Sequence, residues 1–521
     1  MSVWRKNEKR DVIPRWRHSR DIATFIDAAS PKIVKPAAIK TGIERPPLEV
    51  LADFSSSKKP LVWAEALSSA LANRDFDDAI TIINSKKDLD LSRFALLQEV
   101  SDPTFVSRLR SGQAKEKDQT PNGTDGSKPG IAQIRKAREA VRVYDSNALA
   151  WLDLARAYAI NGDLERSERG IWTALHFDPN NRWIVRSAAR FFIHREKTDA
   201  AVRVIEQAAG YRNDPWLVSA HIAVSHASGK TSPLVRRAKT LFEDDNYRPK
   251  HLSELGLALA TLEIEASSGS RAVNKLAKRS LRDPTENAVA QAEWIESVAG
   301  KALGASDAAQ RVGNAFEARS RELAKAMEWQ AATNEIFHWL CDQPFSSRPA
   351  IDGSYLAATF LQDYELAEKF ARVGYQANPE DPLIRNNYAV ALAERGDLAK
   401  ARRVFGTLGD PSGKGFEETY RATEGLLRYR EGRIDAAREC YEKSRAAFDA
   451  AAAVRSTLLS LVFQTSEELR LDNYDDAANL LRKGEDIAKR TQNRDLLAVL
   501  QRKRAELERQ ASSRAHRPKG Q

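Results

Sequence analysis

The residues that could support chemistry are few, and most lack a partner at the spacing the chemistry needs. Ser228, Gly229, Lys230 and Thr231 end like a phosphate-binding loop, whose backbone amides wrap a phosphate while the lysine and hydroxyl serve the nucleotide and its Mg²⁺. That cradle needs a first glycine five residues before Gly229, where Val224 stands, and a preceding strand, where the pattern is helical. The run from Gly409 through Gly413, Lys414 and Gly415 is one residue short and has glycine where a metal-binding hydroxyl belongs. Both read as turns. The eight histidines form no HExxH and no cysteine–histidine set. His221 and His226 are five apart, which points them to different faces of a helix. The acidic pairs Asp77 with Asp78, Asp244 with Asp245 and Asp475 with Asp476 sit at turns and helix starts. There they favour first-turn amides and the helix dipole rather than acid–base catalysis. No serine or cysteine nucleophile carries a local motif, so the expectation is no catalytic residue, no metal and no cofactor.

Charge is more informative. The net charge is +10. Residues 1–20 hold seven cations against Glu8 and Asp11, a net of +5, and residues 501–521 hold another +5, so residues 21–500 are formally neutral. In the first stretch Trp4 and Trp16 interleave with Arg5, Lys6, Arg15 and Arg17. Such a set can contact phosphates and stack on bases, can dock on a protein partner, or can serve as a solubilising tail. Two distant cysteines, Cys341 and Cys440, suit a reducing interior. No apolar run nears the roughly 18 residues that cross a bilayer. The first ten residues lack the apolar stretch of a secretory signal, and Glu8 and Asp11 argue against an organelle transit peptide. The expected setting is cytoplasmic, without a membrane.

The elements that must position any site come from a ladder of prolines. Pro179, Pro215, Pro249, Pro284, Pro344, Pro379 and Pro411 are separated by 36, 34, 35, 60, 35 and 32 residues. A period near 34 means tandem helical hairpins, because proline cannot continue a helix. In residues 148–181, counted from Ala148, Trp151, Leu154, Ala155 and Tyr158 take positions 4, 7, 8 and 11, and Ser167, Ile171, Ala174 and Pro179 take positions 20, 24, 27 and 32. Small residues at 8, 20 and 27 let two helices approach, and large ones fill the space between. The frame recurs from Arg182 (Ala189, Phe192, Ala201, Ile205, Ala208), from Ser253, from Gly313 and from Pro382.

This multi-position frame resembles the tetratricopeptide repeat family over most of residues 131–500. The resemblance implies an all-α, right-handed α-solenoid, a superhelix of helix-turn-helix repeats, here with an irregular N-terminal arm. It also implies that the first helix of each hairpin lines a concave side through positions 2, 5, 9, 12 and 13. In the repeat at 148 these are Leu149, Leu152, Arg156, Ala159 and Ile160, and in the repeat at 182 they are Trp183, Arg186, Arg190, Ile193 and His194. Arg156, Arg186 and Arg190 beside Trp183 and His194 suit an acidic peptide, a carboxylate terminus or a phosphate. From Pro382 the same positions include Asn386, similar to the asparagines that hold peptide backbone in some members. The next repeat offers Tyr429 and Arg430. The basic set of a carboxylate clamp is not reproduced around Asn386.

The expected organisation is a basic, proline-containing arm (1–59), a repeat-like hairpin and following helix (60–110), a flexible linker (111–130), a first array (131–285), an inserted helix (286–312) with Trp294, a second array (313–500) and a basic tail (501–521). The expected function is a non-enzymatic scaffold or adaptor that binds a protein segment in the groove. The alternatives are a nucleic-acid-associated regulator using the basic termini and a regulatory subunit of a separately encoded enzyme.

Overall fold

A computed structural model of the chain describes residues 12–19, 129–143, 145–266, 270–406 and 416–515. Among these residues there are twenty-two α-helices and no strand, arranged as successive antiparallel hairpins. The all-α repeat architecture read from the sequence is therefore the one observed. The hairpin of α2 (Ala148–Ile160) and α3 (Leu164–Phe177) shows how the residues produce it. The Asn147 side chain accepts hydrogen bonds from the Leu149 and Ala150 amides at 3.0 and 3.1 Å, which satisfies donors that the first turn leaves open. Gly162 turns the chain with a φ of 75°, a left-handed conformation that costs glycine nothing. Ala155, Ser167 and Ala174 are fully buried between the helices. At Gly170 the approach is so close that an added Cβ would lie 2.9 Å from that of Ala155.

The chain divides into two compact units, residues 9–318 and 319–521. The first contains α1 (Pro129–Val143), α2 and α3, α4 (Arg182–His194), α5 (Thr198–Gln207), α6 (Pro215–Ala227), α7 (Val235–Glu243), α8 (Pro249–Glu265), α9 (Ser270–Ser280), α10 (Glu286–Ala299) and α11 (Ala305–Arg311), and it ends in the first turn of α12 (Phe316–Lys325). Each first helix packs on the next, α2 on α4, α4 on α6, α6 on α8 and α8 on α10, so the five make one continuous wall. Pro215 and Pro249 occupy the first turns of α6 and α8, where the missing amide is harmless.

The expected reading of residues 286–312 changes. Residues 286–312 are a hairpin of their own, α10 and α11, not one inserted helix. Gly300 and Gly304 take left-handed φ values of 66° and 90° and break the segment, and Glu296 accepts from the Leu303 and Ala305 amides at 2.6 and 3.0 Å. After the turn at Gly229 and Pro233, α7 completes the hairpin that opens with α6 and buries Ala238, Leu241 and Phe242.

The second unit continues with α13 (Trp329–Asp342), α14 (Ser347–Leu356), α15 (Tyr364–Ala377), α16 (Pro382–Glu394), α17 (Leu398–Gly406), α18 (Glu417–Arg430), α19 (Ile434–Ala450), α20 (Val454–Arg470), α21 (Tyr474–Arg490) and α22 (Arg494–Ala515). Here α14, α16, α18, α20 and α22 pack in succession as the wall. The basic stretch after residue 500 is not a separate tail as far as residue 515, because α22 carries it. Lys503 is buried, Arg504 pairs with Glu485 at 2.6 Å, and Arg502 donates to the Phe360 carbonyl at 2.9 Å. The expected hairpin at 60–110, the arm outside residues 12–19, and the linker except for the residues that open α1 lie outside the described residues.

Candidate functional site

Residues 12–19, Val-Ile-Pro-Arg-Trp-Arg-His-Ser, lie against the wall of the first unit without helical or strand structure over residues 12–18. Pro14 has a fixed φ and disfavours a helical Ile13, which keeps this stretch out of a helix. The segment is mostly buried: Val12 and Trp16 are fully enclosed, and Arg17 and Ser19 nearly so. Val12 joins the apolar core that includes Val218, Ile222 and Leu255. The Trp16 ring meets Phe191 of α4 edge-on, with centroids 5.9 Å apart.

Main-chain groups of the segment are held directly. Arg156 Nε of α2 donates to the Trp16 carbonyl at 3.3 Å, and Asn287 Nδ2 of α10 donates to the Ile13 carbonyl at 3.1 Å. The Ser19 amide donates to Asp153 Oδ1 at 2.8 Å, and the Ser19 hydroxyl donates to the other oxygen of the same carboxylate. His18 Nδ1 lies 3.4 Å from that second oxygen. Arg15 pairs with Glu317, in the first turn of α12, at 2.7 Å, and Arg17 pairs with Glu286 of α10. Residues 13–17 thus engage the late helices and residues 16–19 the early ones, so the segment runs against the order of the repeats. The side chains on its cations are carboxylates that are themselves buried.

This arrangement joins two sets that the sequence kept apart, since Arg156 of the expected groove holds Trp16 of the basic N-terminal set. It also corrects the charge expected of the groove. Arg186 is buried, its guanidinium donating to Glu254 at 2.8 Å and to the Trp216 carbonyl at 2.9 Å, with the Trp216 ring 5.2 Å away. The second Glu254 oxygen accepts from Thr285 at 3.1 Å, so Arg186 ties α4, α8 and the start of α10 together. A guanidinium enclosed and paired with a buried carboxylate in this way is a rivet and not an anion receptor. Trp183 is buried as well. Burial of the His194 ring, and then the nearby Arg190 and Arg195, push its pKa down to about 4, so it is neutral near pH 7. The wall that was read as basic presents Asp153, Glu286 and Glu317 to a basic segment. Arg15 and Arg17, read as candidates for nucleic acid together with Trp16, face Glu317 and Glu286, while the Trp16 ring meets Phe191. Trp4, Arg5 and Lys6 lie outside the described residues.

Other candidates resolve into packing. His221 meets Glu206 at 3.2 Å and Ser232 at 2.9 Å, while His226 meets Glu265 at 2.5 Å, so the two rings serve different neighbours. Gly229 has a φ of 72° in a turn after a helix, and Lys230 reaches Asp199 at 2.7 Å. In the second unit Asn386 accepts from the Thr423 hydroxyl at 2.8 Å. Tyr429 donates to Glu468 at 2.6 Å and accepts from Gln464 at 3.1 Å. Arg430 lies between Glu394 at 2.5 Å and Glu467 at 2.6 Å. Burial raises the Glu394 pKa to about 7, against the pull of Arg430, which Glu467 shares.

Sequence reasoning missed Asp153, Phe191, Glu286, Asn287 and Glu317. Asp153 and Phe191 sit at positions 6 and 10 of their repeats, beside the positions expected to face a ligand. Glu286 and Asn287 were hidden because residues 286–312 had no repeat register. The available signal was the pairing of a basic segment with carboxylates that recur on first helices.

No protein-family model matches the chain, and no curated protein matches it significantly. Among solved structures it is similar to Tom70 of yeast, with 13% identity and a TM-score of 0.29, covering 86% of this chain and 96% of that one. It is similar to a tetratricopeptide repeat protein of Parabacteroides merdae, with 14% identity and a TM-score of 0.24 over 61% and 98% of the two chains. A third is the APC/C hetero-tetramer Cut9-Hcn1, with 13% identity and a TM-score of 0.34 over 88% and 99%. At such values the description of the fold rests on this chain's own hairpins.

Proposed function

We propose that this chain is a non-enzymatic protein–protein interaction scaffold that holds a non-helical protein segment on the first-helix wall of residues 148–318. One observation supports the reading above all: a segment of that kind, residues 12–19, already lies there. Arg156 and Asn287 hold main-chain carbonyls, a contact indifferent to sequence, while Glu286 and Glu317 read arginine side chains and Asp153 takes both the amide and the hydroxyl of Ser19. Repeat arrays offer extended surface, and binding is what that surface naturally supplies.

Selection of a random displayed peptide library against the full chain tests the proposal. Binders are expected, and the double variant Arg156→Ala with Asn287→Ala should weaken them by about thirtyfold, since each hydrogen bond contributes about 1 kcal/mol. Binders indifferent to both substitutions, or no binders at all, would remove the wall as the site.

A further inference from the structure

The counter-charges of the wall come from far away in sequence. Arg15 and Glu317 are separated by 302 residues, Arg17 and Glu286 by 269, and Ser19 and Asp153 by 134. None of these contacts joins one helix to another. The first helices pack on each other directly, and the central rivet between Arg186 and Glu254 does not involve the segment. Departure of residues 12–19 would therefore break no helix–helix contact. It would leave a slot with a carboxylate at one end (Asp153), two at the other (Glu286 and Glu317), the edge of Phe191 between them, and two carbonyl-seeking donors, Arg156 and Asn287.

Building on the scaffold reading, we propose that this slot is a receptor for a non-helical segment of another protein in which arginines flank a tryptophan, and that residues 12–19 hold the place in cis until such a segment displaces them. The ligand chemistry follows from what the slot satisfies. Its carboxylates favour guanidinium groups, which pair with them at two points. The space beside Phe191 takes a flat ring edge-on. An acidic segment would place like charges together in a buried site, and a nucleic acid would bring phosphates against three carboxylates. Because the occupant is tethered, its effective concentration is high, and the apparent affinity of a competitor falls by the fraction of time the slot is open. The segment therefore works as a threshold on binding as well as a model of the ligand.

The test uses the full chain and a labelled synthetic peptide, Val-Ile-Pro-Arg-Trp-Arg-His-Ser. The full-length variant Trp16→Ala with Arg17→Ala weakens the cis occupant. It should bind the peptide at least about tenfold more tightly than the unaltered chain, with affinity that falls as salt rises. Adding Glu286→Gln and Glu317→Gln should abolish that gain. A peptide with both arginines replaced by glutamate should not bind. In the unaltered chain, where no variant has to fold, saturating peptide should speed amide hydrogen exchange at residues 12–19 and leave the helices unchanged.

Equal binding to the two proteins, equal binding of the peptide that carries glutamate for both arginines, or undisturbed exchange at 12–19 under saturation would overturn the proposal. So would dimerisation of the unaltered chain that Trp16→Ala abolishes, because the slot would then belong to a second copy. A library selection that returned wall-dependent binders without the arginine–tryptophan pattern would sink this inference and leave the scaffold reading standing.

Discussion

In residues 9–318 the carboxylates of Asp153, Glu286 and Glu317 meet hydroxyl and guanidinium groups supplied by residues 15–19. In residues 319–521 the helices themselves supply both partners: Arg430 lies between Glu394 and Glu467 of the neighbouring first helices, and Glu468 takes Tyr429 of a first helix together with two nitrogens of Arg438, from the second helix α19, at 2.8 Å. The two walls are built from the same kind of helix at the same spacing. The second closes its polar groups on each other, whereas the first, besides its own pair of Arg186 and Glu254, sets three carboxylates against a separate piece of chain. A repeat position is thus a rivet or a receptor according to whether a neighbouring helix, within one or two hairpins, carries the complement.

The comparison breaks most easily at Arg430. Arg430→Ala would leave Glu394 and Glu467 buried without their shared cation, at a cost of about 3–5 kcal/mol to the second unit. Urea denaturation gives the size, and site-resolved hydrogen exchange should place the loss in α16, α18 and α20 with residues 12–19 unaffected. Trp16→Ala is the counterpart in the first unit. Removing a fully enclosed indole should cost about 3 kcal/mol there, with faster exchange at 13–19 and no change in α16 to α20.

The pH slopes of the two units should have opposite signs. His194 has a folded pKa near 4, below its ordinary 6.5, so its contribution is complete above 6.5 and is lost as pH falls toward 4. Glu394 has a folded pKa near 7, above its ordinary 4.5, so its contribution is complete below 4.5 and is lost as pH rises through 7. Each effect is on the order of 3 kcal/mol when complete. His194→Gln and Glu394→Gln should each flatten one slope and leave the other. The smallest effect is that of Arg156→Ala, about 1 kcal/mol or less, visible as faster exchange in the segment alone.

The repeat itself was legible because helix packing imposes small residues at fixed places: Ala155, Ser167 and Ala174 are fully buried where the frame puts them. The hairpin at 286–311 was not, because Gly300 and Gly304 shorten its turn and second helix and no proline marks its middle. The chemistry of the wall was half legible. Register assigned Arg156 and Arg186 to the same face, but only the fold shows that Glu254, two hairpins later, neutralises Arg186 while Arg156 reaches a backbone carbonyl. Contacts across 134 to 302 residues leave no local pattern in one sequence.

The seating of Trp16 is the point on which both the scaffold reading and the two-wall comparison depend. A photoactivatable benzophenone amino acid in place of Trp16, followed by peptide mapping of the irradiated full chain, measures it directly. An intramolecular cross-link to α4 around Phe191 is expected. Cross-links confined to other parts of the chain, or none at all, would contradict this seating.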